Sequence, residues 1–168
     1  MKRNVDFIIA VDPDVDKSGV ACLQTSAKKV ECSALDLPSL VDYLRDCSAK
    51  GTIIVVVEAG WLNGGNHHLR NKGQYHAAKL GEYVGRNHEI SKQIAKFCEH
   101  YQIDYEFKRP LAKCWHGTDR KISKDELDDL LSGSGLAPIQ KRTNQEMRDA
   151  VLLAMDYSGI PLRMKKKR

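Results

Sequence analysis

Four carboxylates carry the chemistry this chain could do. Asp12 follows the apolar run Val5–Val11 (VDFIIAV), and Glu58 ends a second run, Thr52–Glu58 (TIIVVVE). An acid placed directly after a buried strand emerges at the strand end, where α/β sheets carry their sites. If the two strands are adjacent and parallel, Asp12 and Glu58 are neighbours. Glu146 and Asp149 lie three apart in a helical stretch and so share one face. Carboxylates gathered in one place repel, and they stay ionised only when cations neutralise them. An all-oxygen donor set selects hard divalent cations, Mg²⁺ or Mn²⁺. Two such ions about 4 Å apart would activate a water and stabilise the leaving oxygen of a phosphodiester.

Plainer roles exist for each acid. Asp12-Pro13 is a good turn opening. Thr143-x-x-Glu146 has the spacing of a capping box, which would occupy Glu146 at a helix start. Asp149, beside core-facing Ala150, reads equally as a surface charge. Asp12, Asp14 and Asp16 alternate as in a calcium loop, but Lys17 stands where glycine is needed and Leu23 where the bidentate acid belongs. The turn is too poor in glycine for a phosphate loop. His67-His68 has no partner set at zinc spacing and reads as a solvated pair.

The elements that must position these acids follow from periodicity. Val5–Val11, Gly19–Thr25 and Lys29–Ala34 read as three strands joined too tightly for crossovers, hence an antiparallel meander. Pro38–Cys47 has helical spacing at Leu40, Val41 and Leu44. Thr52–Glu58 is a central strand covered on both faces. A polar loop from Ala59 to about Gly73 leads into a long helix, Tyr75 to His100, with Leu80, Val84, Ile90, Ile94 and Phe97 as its stripe. Gly81 and Gly85 lie on one face, where another backbone could approach closely. Ile103–Phe107 is a fifth strand. Helices follow at Ser123–Leu131 and Thr143–Ser158, the last with Met147, Ala150, Val151, Ala154 and Met155 facing inward. The order βββαβαβαα predicts one mixed α/β sheet of five strands, three in the meander and two parallel, flanked by helices.

Composition is that of a globular domain: 168 residues, 42% hydrophobic and 29% charged. The longest apolar run, Ile53–Val57, is far too short to span a membrane, and no signal peptide is expected. Five cysteines without C-x-x-C spacing argue against a disulfide framework or structural zinc, and for a reducing cytoplasm. The net charge is +5, and five of the last six residues are basic, so residues 1–162 balance at 22 of each sign. The expected division is a domain over 1–162 and a basic tail over 163–168. The stretch from Trp61 to Lys124 is also basic and holds all six histidines. A basic middle and tail suit a polyanion, although basic tails are often merely solubilising.

These residues resemble RuvC-type Holliday-junction resolvases of the RNase H-like superfamily. IIAVDPDVDKSGVA is similar to the family's opening strand, and IIVVVEAGW to its central strand, with an aromatic three residues after the acid. LGEYVGR, YEFKRPLAK and NQEMRDAVLLAM resemble its long helix, fifth strand and last helix, in order along nearly the whole chain. The resemblance implies an RNase H-like fold. It implies Asp12, Glu58, Glu146 and Asp149 as catalytic acids holding Mg²⁺, and Trp61 near the bases of a junction. Lys113 and Lys124 would lie on the phosphate backbone, and a homodimer would nick a four-way junction symmetrically. The sequence departs from the pattern at Asp14, where glycine is usual, at Glu146, where Asp is commoner, and in its longer loop after Glu58.

Read physically, Arg70, Lys72, Arg86, Lys113 and Lys124 are candidates to neutralise phosphates, and each is equally a candidate for a solvated face. Trp61 would stack on a splayed base or sit at the core edge. His88 or His116 would shuttle protons. The expected activity is Mg²⁺-dependent cleavage of branched DNA, a four-way junction, by a homodimer. The rivals are a nuclease acting on RNA–DNA hybrids or flaps, and a non-catalytic junction-binding module. An actin-like phosphotransferase would need a second half that 168 residues cannot hold.

Overall fold

The computed structural model describes residues 4–63 and 74–162. Arg70, Lys72, the His67-His68 pair and the basic tail lie outside the described residues.

Five strands form one sheet in the order β3-β2-β1-β4-β5. They are β1 (Phe7–Asp12), β2 (Ser18–Gln24), β3 (Lys29–Leu35), β4 (Ile53–Glu58) and β5 (Asp104–Lys108). β1, β2 and β3 are the expected antiparallel meander. β4 lies parallel to β1, with Val11 opposite Val57, and β5 lies parallel to β4. This mixed arrangement with helices on both faces is RNase H-like.

Strand parity assigns the faces, because successive side chains alternate. Ile9, Val11, Val55 and Val57 are fully buried against α1 (Leu37–Ser48) and α2 (Gln74–His100). Ile8, Ala10, Ile54 and Val56 pack on the other face against α3 (Lys124–Gly133) and α4 (Gln145–Ser158). Asp12 and Glu58 continue the even-numbered series. Both acids therefore leave the sheet on the face that α4 covers.

Helix ends are set by local chemistry. Asp36 caps α1, its Oδ1 accepting from the Ser39 amide at 3.0 Å. Ser123 and Glu126 form a reciprocal capping box on α3. α4 ends at Gly159, whose φ of 81° is the left-handed conformation that glycine adopts freely. The inward stripe expected on α4 widens to include Leu152 and Leu153, which are buried in the same core cluster as the α3 leucines.

Two expectations change. Among the described side chains of α2 the buried positions are Ser91, Ile94, Ala95 and Cys98, with Ile90 packed against the core, while Phe97 is exposed; the side chain of Leu80 lies outside the described ones. Gly81 and Gly85 face open space, with no atom within 4 Å of a Cβ built on either, so no backbone approaches them among the described residues. Cys32, Cys47 and Cys98 are small core residues as expected, Cys22 is half-buried, and Cys114 is exposed.

Candidate active site

Asp12 and Glu58 end adjacent parallel strands, β1 one residue beyond the Val11–Val57 pair and β4 opposite Lys108. What brings α4 to them is Gly19. Asp12 pairs with Gly19 across the β1–β2 ladder, and a Cβ on Gly19 would stand 2.0 Å from the Glu146 carbonyl oxygen and 2.7 Å from the Met147 nitrogen. The missing side chain lets the first turn of α4 rest directly on β2. That turn carries Glu146 and, one turn on, Asp149.

The capping box expected at Thr143 and Glu146 is not what starts α4. Asn144 is the cap, its Oδ1 accepting from the Met147 amide at 2.9 Å. Asparagine caps at least as well as threonine, and the Thr143 hydroxyl instead accepts from Arg148 at 3.2 Å. Glu146 is thereby left for the cleft.

All four acids line one cleft of about 280 Å³, together with Asp14, Tyr83, Asn87, Lys113, Trp115 and Lys121. The electrostatics are those of crowded charge. Burial and then the charges of Glu58, Asp149, Glu146 and Asp14 push Asp12 well above the usual carboxylate range. Burial, and after it Asp149, lifts Glu58 to about 7, against the pull of Lys113. Asp149 is raised chiefly by burial, while a hydrogen bond from Gln145 and the charges of Lys121 and Lys113 act downward. Among the described residues, no three acid, histidine or cysteine groups stand close enough together to hold an ion as the side chains lie. The donor set itself fits a hard cation. It is all oxygen, it is partly desolvated, and its mutual repulsion is what a divalent charge relieves.

The candidate cations divide. Lys113 is exposed at the rim of the cleft and acts on two of the acids. Lys124 pairs with Asp128 one turn along α3 and is not part of the lining. Arg86 pairs with Glu82 at 2.6 Å on the exposed side of α2. Trp61 is held on the α2 face, edge-on to Phe107 at 5.0 Å and to His88 at 5.3 Å between ring centres. His88 is thus a packing partner of Trp61. His116 bonds Glu126 through its Nδ1 at 2.7 Å and its backbone amide at 2.9 Å.

Several cleft residues were not among the expected site residues. Lys121 reaches the site from a tight loop in which Asp119 and Arg120 both adopt positive φ, 55° and 59°. Two consecutive left-handed non-glycine residues are unfavourable and persist only where their surroundings fix them. Here Glu126 binds His116, and Arg148 donates to the Ile122 carbonyl at 3.0 Å. Asp14 is a fifth acid, accepting from the Asp16 amide at 3.0 Å and from the Tyr83 hydroxyl at 2.6 Å. Asn87 lines the same wall, and its buried Oδ1 has no hydrogen-bond partner.

No protein-family model and no curated protein matches the chain. Among solved structures, it is similar to T. thermophilus RuvC in complex with a Holliday junction substrate, at 9% identity and a TM-score of 0.48, with 91% of this chain and 94% of that chain covered. The RNase H-like arrangement follows from the strand order itself, independently of that likeness.

Proposed function

We propose that the protein is a divalent-metal-dependent endonuclease that cleaves branched DNA, with the four-way junction as its substrate. One observation carries the reading: Asp12 from β1, Glu58 from β4, and Glu146 and Asp149 from α4 line a single cleft in which burial and mutual repulsion hold Asp12, Glu58 and Asp149 above their ordinary pKa. Folding works against such a cluster unless a cation occupies it. Mg²⁺, with Mn²⁺ able to substitute, would be held by these four carboxylates; bound there, it would supply a nucleophilic water and neutralise charge on the leaving oxygen. Lys113 and Lys121 stand at the same cleft, where an approaching phosphate needs countercharge.

A four-way junction has two equivalent strands to cut, so the substrate geometry favours a homodimer with one cleft per protomer. Residues 1–162 would be the nuclease domain and the basic tail an additional backbone contact. Cleavage of a synthetic four-way junction, with and without Mg²⁺ and beside duplex, flap and RNA–DNA hybrid controls, tests the assignment. Alanine at Asp12 or Glu58 should abolish cutting and leave junction binding largely intact. Undiminished cutting by either variant would refute the reading, and preferential cutting of hybrid by a monomer would favour the rival substrate.

A further inference from the structure

Asp149 is not free to turn. Gln145, one helical turn earlier, donates from Nε2 to Asp149 Oδ1 at 2.8 Å, and its Oε1 accepts from Arg148 at 2.9 Å. Arg148 is fixed in turn: its Nε donates to the Ile122 carbonyl at 3.0 Å, and another of its nitrogens donates to the Thr143 carbonyl at 2.8 Å and hydroxyl at 3.2 Å.

Chemistry alone orients the amide. A guanidinium only donates, so it must face Oε1; an ionised carboxylate only accepts, so it must face Nε2. Turning the amide over would lose both bonds and set like dipoles against each other. Gln145 therefore joins a donor-only group to an acceptor-only group in one direction. The same Arg148 holds the end of the loop that carries Lys113 and Lys121, so the seating of that loop and the orientation of Asp149 share one anchor.

We propose that Gln145 is a positioning residue that occupies one carboxylate oxygen of Asp149 and leaves the other for a cation in the cleft, with Arg148 locking Gln145 in that orientation. The proposal rests on the reading that the acid cleft holds a divalent ion. Hydrogen-bond partners behind a metal-binding side chain typically contribute 10- to 100-fold in metal affinity.

Mn²⁺ binding to the full chain, followed by electron paramagnetic resonance without DNA, tests it. Gln145→Leu should weaken Mn²⁺ binding roughly tenfold. In an Asp149→Ala background the same substitution should change binding less than about twofold, because the group it acts through is gone. An equal loss in both backgrounds would show a merely structural role and overturn the proposal, as would no loss in either. A second measurement needs no metal: side-chain amide NMR of the wild-type protein should show an ordered Gln145 NH₂ that loosens in Arg148→Lys and in Asp149→Ala. A mobile Gln145 amide in the wild type would overturn the proposal whatever the metal does. Failure of the wild type to bind Mn²⁺ would defeat the metal reading itself and the proposal with it; it is recognised because it needs no variant.

Discussion

The acid cleft makes a stability prediction opposite to the usual expectation for a buried, functional residue. Burial, and after it the charge of Asp149, pushes Glu58 up to about 7 in the folded protein, against an ordinary 4.5. Between those values the native state holds a proton that the unfolded chain has released. Stability therefore falls as pH climbs from about 4.5 to about 7, and the loss is complete above that. At about 1.4 kcal/mol per unit, the shift corresponds to ~3 kcal/mol of destabilisation at pH 8. Gln in place of Glu58 removes the charge and keeps the shape. An imperfectly satisfied amide returns about 1 kcal/mol of that gain, leaving the metal-free Glu58→Gln protein ~2 kcal/mol more stable than wild type at pH 8. For a chain of this size the gain raises the melting temperature by roughly 4–8 °C. At pH 5 wild-type Glu58 is already protonated, so the advantage should vanish. Thermal melts in chelator at both pH values give the comparison. Millimolar Mn²⁺ at pH 8 should then stabilise wild type more than the variant, since an ion that binds only the native state adds stability by mass action. If Glu58→Gln is no more stable than wild type at pH 8, or is equally shifted at pH 5, the carboxylate is not crowded and the electrostatic argument fails.

Three further outcomes follow from the same geometry. Gly19→Ala places a methyl group 2.0 Å from the Glu146 carbonyl; it should lower stability by roughly 1–3 kcal/mol and, by lifting α4 off β2, reduce junction cleavage more than junction binding. Glu126 caps α3 and holds His116, and these hydrogen bonds, outweighing its burial, place it at about 2. Glu126→Ala should cost about 1 kcal/mol near neutral pH, and chemical denaturation should show that difference fading as pH drops below about 4.5 toward 2, where the wild-type carboxylate is itself protonated. Lys113→Ala and Lys121→Ala should each weaken junction binding and reduce the slope of log affinity against log salt by about 1; an unchanged slope in both would remove these lysines from the phosphate contacts.

Much of the site was legible because it rests on strand parity. Asp12 and Glu58 each end an uninterrupted apolar strand, and even-number alternation fixes their face before any contact is known. Glu146 and Asp149 share a helix face by spacing alone. The cap was open in the sequence because Thr143 and Asn144 are both good caps; in the fold Asn144 takes the Met147 amide while the Thr143 hydroxyl accepts from Arg148. Lys124 and Arg86 looked available to phosphate, but each has an acid four residues away along its own helix. Trp61 was read two ways; packing between His88 and Phe107 holds it at the core edge on the α2 side. Lys121, Gln145 and Tyr83 were invisible as site residues because nothing periodic marks them, and Asp14 was marked only by an alternation of acids that fits no calcium loop. Lys121 arrives through two left-handed residues, and Gln145 acquires its role only from the donors on one side and the acceptor on the other.

Gly19 links fold and site more tightly than any of the acids does. A glycine within a β-strand, even at the last pair of the β1–β2 ladder where Gly19 faces Asp12, weakens the strand, since it adds backbone entropy and packs no side chain. Here the same absence lets α4 lie on β2, and α4 both fills the core with Met147, Ala150, Val151 and Met155 and delivers Glu146 and Asp149 to Asp12. The contact that builds the interior therefore also compresses the charges. A larger residue at position 19 would relax the repulsion by separating the acids, and it would lose core packing in doing so. The repulsion is thus not a removable flaw of this fold. It is maintained by several kilocalories of apolar burial on the other side of the same helix, and the fold holds together like charges that protonation, or a cation in the proposed role, would relieve.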